Sequence, residues 1–399
     1  MAGQDCCIVG AGPAGLMLGL LLARAGVETT VVEKHVDFLR DFRGDTIHPS
    51  TLEVMSELGF LGEFLEMPHQ KAPSLHAEIA GRSATIADFS RLPTRCKYIV
   101  FMPQWDFLSF LAGKARAFPT FRMVMNCETT GLVEADGRIA GVRLQHGDGR
   151  EETLAATLTV GADGRQSVVR RAAGLEAEDL GSPVDVLWMQ LSRAKDDPQL
   201  PMSHAGPSQG LVMIDRGDYW QLGHVIAKAG FAETKAEGLA ALRARLAERA
   251  PLPAWRFDEI TTWDQVHLLE VRMDRLRQWW KPGVLCIGDA AHAMSPIGGV
   301  GVNLAIQDAV AAANILAAPL AEGQLTTAHL RAVQARRSFP TRATQKVQRM
   351  MRRKRKPDGE EASRSRPPAF LRAIAGSRLL PHLAGRLIGI GFRPEHVRT

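Results

Sequence analysis

The sequence predicts an α/β fold with three parts: a three-layer domain assembled from separate chain segments, an inserted α+β domain built on a mixed sheet, and a C-terminal helical extension. Three observations support this prediction. A strand, glycine turn, helix and strand open the chain, alternating strand patterns fill its middle, and a second buried strand near residue 285 runs into a glycine-rich loop. A chain of 399 residues exceeds one compact core, which favours two domains.

The opening segment supplies a βαβ unit. Residues 6–9 (CCIV) are a short apolar strand, residues 16–25 an apolar helix pattern ended by Gly26, and residues 27–33 (VETTVVE) a β-branched strand. The turn GAGPAG at residues 10–15 lies between strand and helix, where it lets a pyrophosphate approach the helix N-terminus. Glu33 ends the second strand, where a carboxylate contacts a ribose hydroxyl and disfavours a 2′-phosphate. The unit predicts a Rossmann-like site for FAD or NAD rather than NADP.

The rest of the chain alternates between the two predicted domains. Strand patterns occupy residues 75–89, 121–126, 131–144 and 154–160, and the insert adds residues 184–191, 210–214, 219–226 and 266–273 with a helix near 235–249. A strand at 283–288 and an apolar helix at 304–316 resume the first domain. We therefore assign residues 1–74, 97–177 and 275–340 to the nucleotide domain, 75–96 and 178–274 to the inserted domain, and 341–399 to a basic linker and helical tail.

Composition excludes several classes of protein. Hydrophobic residues are 45% and charged residues 23%, as in ordinary soluble domains. Apolar runs fall short of a membrane span and the N-terminus has no basic signal-peptide region, so we expect a cytoplasmic protein. The five cysteines lack CxxC spacing and are predicted to be reduced core thiols, and no metal-ligand spacing occurs. The formal charge of +6 is concentrated in residues 331–366, which hold 13 Lys/Arg against 3 Asp/Glu.

Two further glycine-rich junctions follow strands and lead into helices: GADGRQSVVR at residues 161–170 and GDAAHAMSPIGGVGVN at residues 288–303. Read alone, the first is also an ordinary Asp-Gly turn. In order along one chain, the three junctions resemble those of FAD-dependent aromatic hydroxylases of the para-hydroxybenzoate hydroxylase type, the single-component class A flavoprotein monooxygenases. The resemblance covers residues 5 to about 339 and the short segment RPEHV at 393–397.

The resemblance implies a discontinuous FAD-binding domain. The first turn would hold the ADP half of FAD, the junction at 161–170 would be the DG motif associated with FAD and NAD(P)H, and Asp289 of the GD motif would meet the ribityl chain and pyrophosphate. Arg43 and Gln104 have alternatives as a surface arginine and a helix N-terminal glutamine. The implied FAD-binding residues are Gly10, Gly12, Pro13, Ala14, Gly15, Glu33, Lys34, Arg43, Gln104, Asp163, Arg170, Asp289, Pro296, Gly299, Gly301, Val302 and Asn303.

The resemblance also implies the chemistry. NADH or NADPH would visit transiently, because a second GxGxxG unit for a resident nicotinamide is absent from the sequence. Reduced flavin would react with dioxygen to give a C4a-hydroperoxide, which in this family transfers oxygen to an electron-rich aromatic ring. A helix N-terminus at Val302 and Asn303 would stabilise the anionic N1–C2=O edge of the reduced flavin.

The inserted sheet is predicted to hold the substrate. Its apolar and aromatic strand residues indicate a bulky hydrophobic phenol, quinone or polyketide-like aromatic, although each residue has plain core packing as its alternative. The candidate substrate residues are Trp188, Met189, Met213, Tyr219, Trp220 and His224. Arg43, His224 and Tyr219 are the candidate catalytic residues, with activation by His48 or by an already acidic phenol left open.

Three other functions remain open at this point. One is an FAD-dependent dehydrogenase or reductase on the same fold. Another is a flavin halogenase, for which the Trp279–Trp280 pair lacks the motif spacing. The third is a non-enzymatic flavin protein whose basic tail binds membrane or nucleic acid. We expect an aromatic substrate and dioxygen as partners, no nucleic acid, a monomer or homodimer, and a tail that docks on the FAD domain, with peripheral membrane contact as the alternative.

Overall fold

A mixed eight-stranded sheet forms the centre of the first domain. The computed structural model describes residues 4–39, 46–79, 82–197, 202–205, 210–352 and 377–398. The central sheet consists of β1 (Gln4–Val9), β2 (Thr29–Val32), β8 (Phe121–Val124), β9 (Cys127–Ala135), β10 (Arg138–His146), β11 (Glu151–Gly161), β19 (Trp280–Lys281) and β20 (Val284–Cys286). Its strand order is β19-β20-β11-β1-β2-β8, with β10 and β9 adding to β11. The pairs among β20, β11, β1, β2 and β8 are parallel, while those involving β9, β10 and β19 are antiparallel.

The βαβ unit predicted from the first turn is present. Helix α1 (Pro13–Arg24) follows β1 directly and buries most of its residues in the main core. A Cβ on Gly15 would lie 1.9 Å from the carbonyl oxygen of Gly10, so helix and turn approach each other as only glycine permits. The strands at 283–288 and 154–160 pair in parallel next to β1, which confirms that the first domain is made of separate chain segments.

Helices pack around the central sheet and complete the first domain. They are α2 (Pro49–Glu57), α3 (Leu61–Glu66), α4 (Gln104–Ala115), α5 (Val168–Ala172), α8 (Val300–Ala321) and α9 (Thr327–Arg352). Two short 3-10 helices, Gly288–Ala290 and Ile297–Gly299, precede α8. Helix α8 has the length and apolar composition of a membrane span, but it packs against α1 and is mostly buried, as expected of a core helix.

The domain boundary predicted at residue 340 falls inside a helix. Helix α9 continues through Pro340 as far as Arg352. Its second half is held by side-chain hydrogen bonds: Gln345 donates to the carbonyl of Asp274 at 2.8 Å, and Gln348 donates to the carbonyl of Ser295 at 3.0 Å. Residues 341–352 therefore continue α9 and contact the loop at residues 293–297.

An antiparallel five-stranded sheet forms the inserted domain. Its strands are β13 (Val184–Ser192), β14 (Met202–Ala205), β15 (Leu211–Asp215), β16 (Tyr219–Ala227) and β17 (His267–Leu269), in the order β14-β15-β16-β13-β17. Every described pair in it is antiparallel, so the mixed sheet of the protein is the eight-stranded one. Helices α6 (Phe231–Glu237) and α7 (Leu239–Ala247), separated by Gly238 at φ +89°, cover one face.

Small elements connect the two domains. Three of them are small sheets: β3 (Thr46–Ile47) with β4 (Gln70–Ala72) and β7 (Ile99–Phe101), the hairpin of β5 (Ser74–Ile79) and β6 (Arg82–Asp88), and the pair of β12 (Ala177–Asp179) and β18 (Asp274–Leu276). The others are 3-10 helices at Ala254–Glu259 and Trp263–Gln265 and the C-terminal helix α10 (Leu380–Gly389). Helix α10 packs on β6 through Gly385, whose Cβ would lie 2.1 Å from the Asp88 carbonyl oxygen. All five cysteines are buried and free, as predicted.

Candidate flavin and substrate site

The N-terminus of α1 forms an open anion cradle. Pro13 and Ala14 occupy the first helical positions, and no described side chain caps the helix at Gly12. A Cβ built on Gly12 would meet nothing within 4 Å. The first-turn N–H groups are therefore open, and together with the helix dipole they suit the pyrophosphate of a dinucleotide.

Glu33 stands directly beside this cradle. Its carboxylate accepts the backbone N–H of Ala11 at 2.9 Å and that of His35 at 3.1 Å, and the residue is only 3% exposed. The bond to Ala11 links the end of β2 to the glycine turn. Lys34, by contrast, is exposed next to it.

The junction at 161–170 is organised by Asp163. The Oδ2 atom of Asp163 accepts the backbone N–H groups of Val168 at 2.7 Å and Val169 at 3.2 Å, and Ser167 caps α5 by accepting the N–H of Arg170. Burial raises the pKa of the Asp163 carboxyl, although bonds from Ser167 and these N–H groups oppose the rise. Its Oδ1 is buried without a hydrogen-bond partner among the described residues, as expected of an atom that a ligand completes.

One ion pair connects this junction to the third motif, and a second connects it to β18. Arg165 donates to Oδ2 of Asp289 at 2.9 Å, and Arg170 donates to Oδ2 of Asp274 at 3.2 Å. Arg165 also reaches the carbonyl of Glu270 at 3.4 Å, in the segment that follows β17. The pair of Arg165 and Asp289, which are 124 residues apart in sequence, thus brings the DG and GD junctions together. Arg165 was absent from our predicted site residues.

The loop before α8 is held by the segment that enters α2. Gly299 caps α8 in the left-handed region at φ +62°, and a Cβ there would collide with Thr46 Oγ1. Oδ1 of Asn303 accepts the backbone N–H of His48 at 3.0 Å and the hydroxyl of Thr51 at 2.7 Å. Gly301 and Val302 lie half-buried in the first turn of α8, which no described side chain caps. This open N-terminus suits the negative edge of a flavin.

His48 joins this loop to the C-terminal helix. Its Nδ1 lies 2.8 Å from the carbonyl oxygen of Ile388 in α10, which fixes that nitrogen as the donor. Burial lowers the pKa of His48 to about 4, against the raising effect of the Ile388 carbonyl. The imidazole is therefore neutral at physiological pH, and its Nε2 lacks a partner among the described residues.

A buried ionic network lies behind the GD turn. Asp308 of α8 accepts the backbone N–H of Gly288 at 3.1 Å, Nε2 of His292 at 2.5 Å and Nε of Arg337 at 2.8 Å. Arg337 in turn contacts Glu395 near the C-terminus at 3.4 Å. Burial opposes ionisation of Asp308, but His292 and Arg337 outweigh it and leave its pKa below the usual range. The sequence analysis missed this network, although an aspartate inside the apolar run LAIQDAVAAA is a visible signal.

For three predicted flavin residues, the described part of the chain shows no contact that bears on FAD. Arg43 lies outside the described residues. Gln104 is the half-buried first residue of α4. Pro296 begins the 3-10 turn that leads to Gly299. Their contacts with FAD stay predictions. Groups of His, Cys, Asp or Glu that could hold a metal do not occur among the described residues.

The predicted substrate residues divide between the two faces of the five-stranded sheet, which corrects our expectation that all point toward the flavin. Met189, Met213 and Trp220 belong to the core shared with α6 and α7. Trp188 instead packs with Val212 and Ile214, on the face that meets α10 and β5–β7. Strand alternation explains the division, because residues adjacent in sequence point to opposite faces. Tyr219 is half-buried at the start of β16, opposite Ser192.

His224 is also on the helix-covered face, opposite Leu187 and Leu211. Burial lowers its pKa to about 4, with Arg249 and Arg245 adding to the decrease and a backbone contact with Gly210 opposing it. The five-stranded sheet thus separates the His224 ring from the Trp188 face. The role of His224 as catalytic base stays a prediction.

The cradle, the motif cluster and the mixed sheet together define an α/β flavoprotein oxidoreductase. Residues 4–347 match the family described as "FAD binding domain", so the chain belongs to this family. The predicted resemblance to class A FAD-dependent monooxygenases is thereby confirmed.

Relatives and solved structures agree with this assignment. The chain is 34% identical over 373 residues to 6-methylpretetramide 4-monooxygenase of Streptomyces rimosus, covering 93% of this chain and 88% of the relative. It is 31% identical to rifampicin monooxygenase of Streptomyces venezuelae over 82% of this chain and 67% of the relative. The fold of p-nitrophenol 4-monooxygenase from Pseudomonas putida matches 98% of this chain and 99% of that one, with a TM-score of 0.78 at 21% identity.

Proposed function

We propose that this FAD-dependent monooxygenase uses NADH or NADPH and dioxygen to hydroxylate a bulky hydrophobic aromatic substrate. Bound FAD would accept reducing equivalents from the nicotinamide and activate dioxygen. The protein residues would bind the flavin, orient the aromatic ring and exclude water. The residues that we name for FAD fit this cofactor. The N-terminus of α1 is open, and Asp163 Oδ1 is buried with no partner among the described residues.

The observation that carries the substrate proposal is the position of the Trp188 face of the five-stranded sheet. One contact path runs from Asn303 through His48 to Ile388 of α10, which packs in the same apolar cluster as Trp188. A second path runs from Asp289 through Arg165 to the carbonyl of Glu270, whose neighbours Leu269 and Val271 pack on Trp188. These two contact paths support a substrate site on this face.

The chemistry of this face fits a large aromatic. Phe89, Phe101 and Ile214 form its buried surroundings, and Trp188 is half-buried among them. Such apolar and aromatic walls favour a planar ring system and keep water from the flavin. The relatives named for 6-methylpretetramide, rifampicin and pentachlorophenol support a substrate in this range.

The test combines cofactor oxidation with isotope labelling. The purified protein, loaded with FAD, is mixed with NADH or NADPH and a panel of mono- to tetracyclic phenols under ¹⁸O₂. We expect one phenol class to accelerate nicotinamide oxidation and to gain one ¹⁸O atom per product. A matched reaction in H₂¹⁸O under ordinary dioxygen should give unlabelled product. Oxidation without labelled product from any compound would indicate a reductase instead.

We also propose that the tail docks within the protein and that the enzyme works in the cytoplasm without nucleic acid, as a monomer or homodimer. Docking is supported by the glycines of α10, since Gly389 approaches Phe89, Leu92 and Pro49. The outer face of α10 carries exposed Leu379, Leu383 and Leu387. Sedimentation with anionic vesicles would support membrane contact instead, and equilibrium ultracentrifugation reports the number of subunits.

A further inference from the structure

Two buried donor groups on the flavin-facing side of the five-stranded sheet lack hydrogen-bond partners. Among the described residues, neither Nε1 of Trp188 nor Nε2 of Gln221 has one. Gln221 is only 1% exposed. Buried N–H groups are rarely left unpaired in native proteins, because each loses its hydration without compensation. A pair of such groups on the face proposed for the substrate points to a ligand that supplies acceptors.

The strand register places the two donors side by side. Trp188 lies opposite Gly223, and Gln221 precedes Gly223 by two positions on the same strand. Residues two apart on a strand share a face and are about 7 Å apart. The two residues are therefore neighbours on one face of the sheet.

The orientation of the Gln221 amide is fixed by Arg216. Oε1 of Gln221 accepts Nε of Arg216 at 2.8 Å and Nη2 at 2.7 Å. Since a guanidinium only donates, the atom facing it must be the amide oxygen, and the NH₂ group is left for other partners. The positive charge behind the amide also strengthens its N–H groups as donors.

The indole of Trp188 is seated against the sheet. A Cβ on Gly223 would lie 2.8 Å from Cζ3 and 2.9 Å from Cη2 of Trp188, so the ring occupies the space left by the missing side chain. The ring also contacts the cluster of Val186, Leu269 and Val271. Its N–H direction is thus set by packing.

On these grounds, and resting on the proposed function, we propose that Trp188 and Gln221 are specificity-determining residues that bind a ring ketone or quinone oxygen of the aromatic substrate. Both groups are donors, so they complement acceptor oxygens and leave hydroxyl donors without a matching acceptor at this position. The preferred substrate class is a planar hydroxylated aromatic that carries a ring ketone or quinone oxygen. An aromatic hydrocarbon of the same shape leaves both donors unpaired.

The experiment compares two tricyclic probes that differ in one carbonyl, 2-hydroxyfluorenone and 2-hydroxyfluorene. Binding to the oxidised, FAD-loaded protein is measured by calorimetry, without turnover. We expect the wild type to bind the ketone about three- to tenfold more tightly, as one added hydrogen bond would give. Trp188→Phe keeps an aromatic ring and removes the N–H. Gln221→Glu keeps the acceptor for Arg216 and removes the donor. Each variant should reduce the ketone preference and leave hydroxyfluorene binding within about twofold.

Trp220→Phe is the matched control. Trp220 is also on β16, but it faces α6 and α7, and its Nε1 donates to Asp197 at 2.7 Å. Its loss should lower stability and leave the ratio of the two binding constants unchanged. This readout separates recognition from a general structural defect, which would weaken both probes alike.

The inference is overturned if the wild type does not prefer the ketone, including the case in which it binds neither probe. It is also overturned if Trp188→Phe and Gln221→Glu keep the wild-type preference, or if Trp220→Phe loses it equally. Failure of the proposed function would be seen separately, as absence of aromatic-stimulated NAD(P)H oxidation and of ¹⁸O incorporation across the wider phenol panel.

Discussion

The ionic network behind the GD turn and the Trp188 face of the five-stranded sheet differ in whether their buried polar groups have protein partners. Behind the GD turn, both carboxylate oxygens of Asp308 are used, by Gly288, His292 and Arg337. On the sheet, the buried N–H groups of Trp188 and Gln221 have no partner among the described residues. Protein groups thus complete the surroundings of Asp308, whereas the two donors on the Trp188 face would be completed by the substrate that we propose.

This difference has an energetic meaning. Removing one member of a satisfied, buried ionic network leaves another charge without compensation, which costs stability. Changing a donor that has no protein partner costs little in the folded enzyme and appears only when a ligand binds. Variants of the two regions should therefore differ in which measurement they affect.

Asp308→Ala should produce the largest effect on stability. Arg337 is 1% exposed, and loss of Asp308 leaves its guanidinium and the ring of His292 without their carboxylate. We expect the free energy of unfolding to fall by about 3–5 kcal/mol. Urea denaturation with excess FAD measures it, and FAD fluorescence titration should show weaker binding because Gly288 loses its acceptor.

Glu63→Ala is the control for this change. Glu63 pairs with Lys114 at 2.5 Å on the surface, with a side chain 63% exposed. Such pairs contribute less than about 1 kcal/mol. If Asp308→Ala lowered the free energy of unfolding no more than this control, the buried ionic network would not have the stabilising role that we describe.

The sequence could predict the flavin region well because its signals are local. The turn at residues 10–15 and the junctions at 161–170 and 288–303 each lie between a strand and a helix, as read from short stretches of chain. The side-chain contacts between these motifs could not be predicted from short stretches of sequence. Arg165 meets Asp289, and Asp308 meets Arg337, across distances in sequence that only the fold closes.

The substrate face could not be chosen from sequence for a different reason. Alternation separates Trp188 from Met189 and Val212 from Met213, but both rows are apolar. When both faces of a sheet are buried, hydrophobic patterning no longer shows which one meets the site. Which face is covered depends on where α6 and α7 pack, and the sequence did not show that Trp220 and His224 lie on the face that these helices cover.

Acid should weaken each region through one buried histidine. The pKa values of His48, near the flavin loop, and His224, behind the substrate sheet, are both lowered to about 4. An unfolded histidine has a pKa of about 6.5, so below that pH the unfolded state gains a proton that the buried, neutral ring does not. The folding stability is therefore highest above this pH and is lost progressively as the pH falls toward 4. Between pH 7 and pH 5 the loss is about 2 kcal/mol for each.

His224→Leu should remove its share of this loss. We expect the difference in unfolding free energy between pH 7 and pH 5 to shrink by about 2 kcal/mol relative to the wild type. The aromatic-stimulated oxidation of NAD(P)H should keep its pH profile, because His224 lies on the far face. A shifted activity profile with an unchanged stability profile would support the role of His224 as catalytic base.

Gly223→Ala should give the smallest change and the most selective one. The new Cβ would lie 2.8 Å from the Trp188 ring, so the indole must tilt and its N–H must turn. We expect the ketone preference to fall about threefold, with FAD binding unchanged. Gly113→Ala in α4 is the control, since its Cβ would meet nothing within 4 Å. If Gly223→Ala weakened FAD binding and left substrate preference intact, the two regions would not be separable, and the contrast between the satisfied network behind the GD turn and the proposed substrate face would fail.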